Sequence, residues 1–219
     1  AIIKASAIPL LIWDSLPCIG GSQWQWVNAR SEEGYARMIE HRQDFQLMWA
    51  NFEVLARINH SQVGRLAFEL PKGCAHFDFA PVTDLIKELD LKVVEVHGCA
   101  AGLVSDEGIP IKKPWIVATN DAELYEALDQ FKCPGCLRHE PCQGKYTRRS
   151  ERYTYQMAMT IHDAWRTSVA KSKATGRATA GGKADTRPLV DEAKLRDKLL
   201  NEGVPEAIQG EFTKPPSAR

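Results

Sequence analysis

The sequence predicts an α/β fold: a Rossmann-like, mostly parallel sheet flanked by helices, followed by a small Cys/His-rich appendage and a disordered C-terminal tail. Three observations predict it. Short apolar runs alternate with longer amphipathic stretches, the pattern of strands joined by crossover helices. The periodicity stops at Phe131, after which Cys133, Cys136, His139 and Cys142 crowd into one turn-rich segment. From Thr167 onward no aromatic residue appears before Phe212. A segment so poor in large apolar side chains buries too little surface to offset the entropy of ordering.

The elements follow in order. Residues 8–17 form the first strand, in which Leu10 to Trp13 runs into Asp14-Ser15-Leu16-Pro17-Cys18 and a turn at Gly20-Gly21. Glu32 to Asn59 is a long helix with Tyr35, Met38, Ile39, Phe45, Met48, Trp49, Phe52, Leu55 and Ala56 as its apolar set. Arg65 to Leu70 is a second strand, stopped by Pro71 and Gly73. Ala80 to Leu89 is a helix with Val82, Leu85, Ile86 and Leu89 inward, and Lys92 to His97 is the third strand. After turn residues at Val104 to Ile111, Trp115 to Thr119 is the fourth strand, and Asp121 caps a helix through Leu128. The short connection before the fourth strand suits an antiparallel final pair. Tyr153 to Trp165 is one more helix, and Asp191 to Asn201 a transient one. The expected organisation is a Rossmann-like domain over residues 1–130, a Cys/His cluster and helix over 131–166, and a disordered tail over 167–219.

Composition narrows the function classes. The chain has 219 residues, 44% of them hydrophobic, enough for one ordinary core. Its formal net charge is +0, so the chain as a whole makes no case for a polyanion partner and only local basic stretches can make one. No apolar run approaches the roughly 18 residues of a membrane span, and no signal peptide precedes the first strand. No membrane partner is expected, and the localisation expected is intracellular, cytoplasmic or nuclear. Six cysteines in a chain this long do not make a disulfide framework, which agrees with a reducing compartment. The start at Ala1, in the run-up to a strand, suggests a piece of a longer protein.

The candidate catalytic residues are Cys18 and Glu69. Cys18 follows a strand and precedes a glycine turn, at the sheet edge where open α/β folds gather their chemistry. Its structural alternative is a small apolar residue at a strand end. Glu69 lies between Phe68 and Leu70, so its carboxylate needs solvent or a polar partner. His97-Gly98-Cys99 ends the third strand, and Cys74 and His76 follow the second. The candidate metal ligands are Cys133, Cys136, His139 and Cys142, whose three thiols and imidazole match the donor set of tetrahedral zinc. The spacing is tight for one ion, so a ligand from elsewhere, such as His162, is an alternative. Lys145, Arg148, Arg149 and Arg152, interleaved with Tyr146, Tyr153 and Tyr155, form a basic and aromatic stretch that suits nucleic acid, or else a solvated helix start. Lys171, Lys173, Arg177, Lys183 and Arg187 read as a solvated linker rather than a binding arm. Trp24, Trp26 and Trp49 are expected in the packing around the first long helix.

Over roughly residues 8–120 the chain resembles the C5-cytosine DNA methyltransferases, through Pro17-Cys18, Glu69-Leu70-Pro71 and Gly108-Ile109-Pro110. In that family the cysteine adds to C6 of a flipped-out cytosine and the glutamate hydrogen-bonds the pyrimidine near N3, roles that fall by position to Cys18 and Glu69. Ile19 replaces the family's glutamine, Leu70 its asparagine, and Ile111, Lys113 and Trp115 its Gln-x-Arg-x-Arg. The glycine-rich turn that cradles S-adenosylmethionine is missing, so that cofactor is expected only if an upstream segment completes the fold. Cys18, Gly98-Cys99, Lys112-Lys113-Pro114-Trp115 and the Cys/His cluster also resemble segments of retroelement polyproteins of unicellular algae. The resemblances imply a degenerate, retroelement-associated methyltransferase-like module that binds nucleic acid or a partner protein, with upstream and downstream polyprotein segments as further partners. Two alternatives remain open: the catalytic half of a cytosine methyltransferase whose cofactor-binding half lies upstream, and a zinc-stabilised protein-interaction domain.

Overall fold

A computed structural model describes residues 9–174. The main sheet has four strands, β1 (Leu11–Asp14), β2 (Arg65–Pro71), β3 (Lys92–His97) and β5 (Pro114–Thr119), in the order β1-β2-β5-β3. A two-residue ribbon pairs β4 (Ile111–Lys112) with β6 (Glu140–Pro141). The helices are α1 (Gln25–Asn28), α2 (Glu32–Ser61), α3 (Ala80–Glu88), α4 (Ala122–Asp129), α5 (Lys145–Arg149) and α6 (Tyr155–Ala174).

The α/β class stands, and the mostly parallel sheet is corrected to a mixed one. Within the main sheet only β1 and β2 form a parallel ladder; β5 inserts between β2 and β3, antiparallel to both. The cause is the connection. Parallel neighbours need a crossover, usually helical, and α2 supplies it between β1 and β2. Residues 98–110 instead fold into turns, with an isolated bridge between Val104 and Pro110, and lead through β4 into β5, so the chain re-enters the sheet reversed.

β2 shows how the layers form. Its alternate residues Leu66, Phe68 and Leu70 join Phe45, Trp49 and Phe52 of α2 and Val82 and Leu85 of α3 on one face. Ala67 faces the other way, into a core of Val94, Val96, Trp115 and Val117 closed by Leu124 and Leu128 of α4 and Met157 and Ala164 of α6. Covered on both faces, the strand reads as an apolar run rather than an alternation. α2 starts where Ser31 accepts the Gly34 amide at 3.1 Å, with Glu32 and Glu33 in its positive first turn. Its buried stripe is narrower than expected, since Tyr35 and Leu55 are exposed.

The helix of the Cys/His appendage continues through Ala174, which corrects the onset of a disordered tail at Thr167. Tertiary anchors extend it: Ser168 bonds the buried carboxylate of Asp121, the cap of α4, and Lys171 pairs with Glu123 at 2.7 Å. The expected tail over residues 175–219, with its transient helix at Asp191 to Asn201, lies outside the described residues, as do residues 1–8. No helix among the described residues is long and apolar enough to cross a membrane.

Candidate functional site

Two places gather chemistry-bearing side chains. The first is the edge at which the parallel strands β1 and β2 end. Cys18 heads a 3-10 turn, Ile19–Gly21, that lies on Cys74 and His76 from the segment after β2. Glu69 points to the α6 side of the sheet, where its Oε2 accepts from Ser15 Oγ at 3.1 Å and from the Tyr153 hydroxyl at 2.9 Å. Its Oε1 is buried without a partner. Tyr153 itself accepts from Trp13 Nε1 at 3.1 Å and meets the rings of Trp13 and Trp115 edge-on.

Burial dominates the electrostatics of this edge. It raises the Cys18 thiol, against the opposing pull of Lys113, and pushes Cys74 up to about 12. It raises Glu69, partly offset by the hydrogen bond from Tyr153. It also pushes Asp14 up to about 6 and lowers His76 to about 4, so that His76 is a neutral imidazole stacked 3.8 Å over Phe45. Desolvation disfavours the charged form of each of these groups. Cys18 and Glu69 therefore share an edge, but the thiol is protonated and the glutamate is engaged by Tyr153. An activated nucleophile needs the opposite, a thiol lowered toward thiolate.

Beside Cys18 opens a cleft of about 250 Å³, lined also by Trp24, Gln23, Lys72, Lys112 and Lys113. Trp24 is 61% exposed, which corrects its assignment to helix packing; Trp49 is core, and Trp26 stacks on the Arg42 guanidinium. Lys113 donates to the Ser150 carbonyl at 2.7 Å, and Lys72 pairs with Glu95 at 2.8 Å. The basic and aromatic stretch is partly structural: Lys145 and Arg149 both pair with Asp106, while Tyr146 is buried and donates to Glu107. Tyr155 is exposed.

The second place is a Cys/His group that could hold a metal ion. Ligand atoms of Cys99, Cys133, Cys136 and His139 lie within 4.8 Å of one another. Cys99 comes from just after β3, the other three from the loop after α4. Sγ of Cys133 is 3.8 Å from Sγ of Cys136 and 3.4 Å from Nε2 of His139. The Cys-Pro-Gly-Cys turn aims the amides of Cys136 and Gly135 at Cys133 Sγ and lowers that thiol to about 6, whereas burial and the Cys133 charge push Cys99 up to about 11. His97 takes the Cys133 amide on Nδ1 at 2.8 Å and reaches Glu95 through Nε2 at 3.1 Å.

Of the expected ligands, Cys133, Cys136 and His139 come together and Cys142 does not. Glu140 and Pro141 pair with β4, which keeps the chain extended and carries Cys142 away. Its Sγ lies 3.1 Å from Ser150 Oγ, beside the Cys18 cleft. Cys99 takes the place in the group, and the one available hint was its position at the end of a strand. His162, the other alternative, is not in the group. Comparison of the chain with protein-family models, with curated proteins and with solved structures finds no match.

Proposed function

We propose that this chain is a nucleic-acid-binding module built on a degenerate methyltransferase-like sheet, of the retroelement-associated kind its motifs resemble, with zinc in its Cys/His group. The observation that carries the reading is the cleft beside Cys18, lined by an exposed tryptophan and by Lys72, Lys112 and Lys113, of which Lys72 also pairs with Glu95 and Lys113 with Ser150. An aromatic face stacks a base whatever its sequence, and cations beside it meet the phosphates. Exposed Arg148 and Arg152 extend the positive surface near Thr147, which lines the same cleft. The glycine turn after β1 is filled rather than open: a Cβ on Gly20 would meet Arg42, and one on Gly21 would meet Cys74 and His76. That packing does not fit a cradle for S-adenosylmethionine, and no methyl-transfer step is assigned to the chain.

Fluorescence anisotropy with a labelled single-stranded oligonucleotide tests the reading. Binding should weaken with salt, with a slope of about −0.7 per phosphate neutralised. Trp24→Ala should weaken it by about 1–3 kcal/mol, the usual worth of one stacked base. No binding at low salt, or binding indifferent to Trp24, would overturn the proposal. The catalytic alternative rests on one observation, the shared edge of Cys18 and Glu69. It calls for a covalent adduct with a 5-fluorocytosine oligonucleotide when S-adenosylmethionine is supplied. The protonated thiol and the Tyr153 bond to Glu69 favour binding without turnover.

A further inference from the structure

We propose that Cys99, Cys133, Cys136 and His139 make a closed, four-ligand zinc site that clasps the end of β3 to the loop after α4, with Cys142 outside it and His97 as its positioning residue. The inference rests on the reading that the group holds zinc, and it names the ligands, the geometry and the segments joined.

Distance decides the ligand set. Zinc bonds of about 2.3 Å to sulfur and about 2.0–2.1 Å to nitrogen, arranged tetrahedrally, place two sulfurs about 3.8 Å apart and a sulfur about 3.6 Å from a nitrogen. The chain holds Cys133 and Cys136 at 3.8 Å, and Cys133 and His139 at 3.4 Å. All four ligand atoms fall within 4.8 Å, so little movement is needed for one ion to reach each of them. Three thiols and an imidazole are the donors of structural zinc, and four protein ligands leave no position for substrate or water.

The loop is built for this arrangement. Gly135 has φ of +88°, a left-handed conformation that a residue with a Cβ resists, and it lets Cys133 and Cys136 turn toward one point. β3 and the loop are joined before any metal is added, because the His97 amide donates to the Phe131 carbonyl at 2.8 Å. With Nδ1 accepting from the Cys133 amide, Nε2 of His97 carries the proton and donates to Glu95. The imidazole thus fixes the backbone of a ligand rather than binding metal, the part that outer-shell partners play in protein metal sites. Cys142, beyond the β4–β6 ribbon and 3.1 Å from Ser150 Oγ, is held elsewhere.

The test is cobalt(II) substitution of the full chain, read by absorption and without nucleic acid. Wild type should bind one cobalt with a tetrahedral d–d band and strong thiolate charge transfer. Cys142→Ser should leave the spectrum unchanged. Cys99→Ser should lose roughly a third of the thiolate charge transfer together with affinity, and Cys99→His should keep a tetrahedral spectrum with that weaker charge transfer. His97→Ala should keep the wild-type spectrum while affinity falls about 10–100-fold. A spectrum altered by Cys142→Ser and untouched by Cys99→Ser would overturn the ligand assignment. Unchanged affinity in His97→Ala would overturn the positioning role. Failure of wild type to bind cobalt or zinc would overturn the metal reading itself, and the oligonucleotide result stands apart from all of these.

Discussion

The turn that carries Cys133 and the sheet edge that carries Cys74 each hold a thiol, and they push it in opposite directions. At Cys133 backbone amides point at the sulfur from an open turn and draw the thiol down to about 6. At Cys74 the sulfur is packed beneath the glycine turn that follows β1, and burial pushes it up to about 12. In the Cys/His group one sulfur is drawn toward thiolate by the turn's amides while Cys99 beside it is pushed up to about 11, whereas burial at the sheet edge disfavours the charged form of each thiol there. That burial also bears on Cys18, whose thiol is raised as that of Cys74 is.

Removing metal should break the comparison most severely, because it reaches only one of the two regions. At free zinc one hundred times its Kd, a bound ion adds about 2.7 kcal/mol to folding stability. For a protein of this size that is a fall in Tm of about 5–11 °C on chelation. Calorimetry with and without EDTA measures it. Cys133→Ser should melt with the chelated wild type and no longer respond to EDTA, whereas Cys74→Ala should keep the full response. A wild type whose melting ignores chelation would leave the loop after α4 without its clasp.

The sheet edge can be broken by volume instead of charge. A Cβ on Gly21 would lie 2.6 Å from Cys74 Sγ and 2.8 Å from the His76 ring, and the ring is itself stacked on Phe45. Gly21→Ala should therefore cost about 1–3 kcal/mol, the usual penalty of overpacking, with metal affinity unchanged. Urea unfolding paired with zinc titration checks both halves. A neutral Gly21→Ala would mean that the turn does not rest on Cys74 and His76.

What was legible in the sequence was local. The heptad-like periodicity of α2, the proline that stops β2 and the Asp121 cap of α4 each act within a few residues and leave a pattern. The reversal of β5 was only half legible, since a short connection permits an antiparallel pair but does not say between which strands it falls. Tertiary effects left almost no signal, a strand-end position for Cys99 aside. The Cys/His group draws Cys99 from the turn after β3, far along the chain from Cys133. α6 continues past Thr167 where Ser168 and Lys171 meet Asp121 and Glu123 at the start of another helix. Trp24, at the N-terminal cap of α1, is exposed although large aromatic residues are core by default.

The finest discrimination between the regions is a pH profile. Asp14, at the end of β1, keeps Oδ2 buried without a partner, and burial pushes its pKa from 3.8 to about 6. Between those values the native state binds more protons than the unfolded chain, so Asp14 makes stability fall as pH rises, and its cost is complete above about 6. Because the side chain is only partly buried, that cost is discounted for solvent to about 1 kcal/mol. His76 acts with the opposite sign: its pKa drops from 6.5 to about 4, so stability is lost as pH falls through that window. The two slopes oppose each other where the windows overlap. Asp14→Asn should be stabilising by about 1 kcal/mol at pH 7.5 and neutral near pH 4, and between those values it should unmask the His76 slope as stability that rises with pH. Urea midpoints measured across that range decide the matter. Equal effects at both ends would mean that Asp14 is solvated, and that the sheet edge excludes charge less strictly than its thiols indicate.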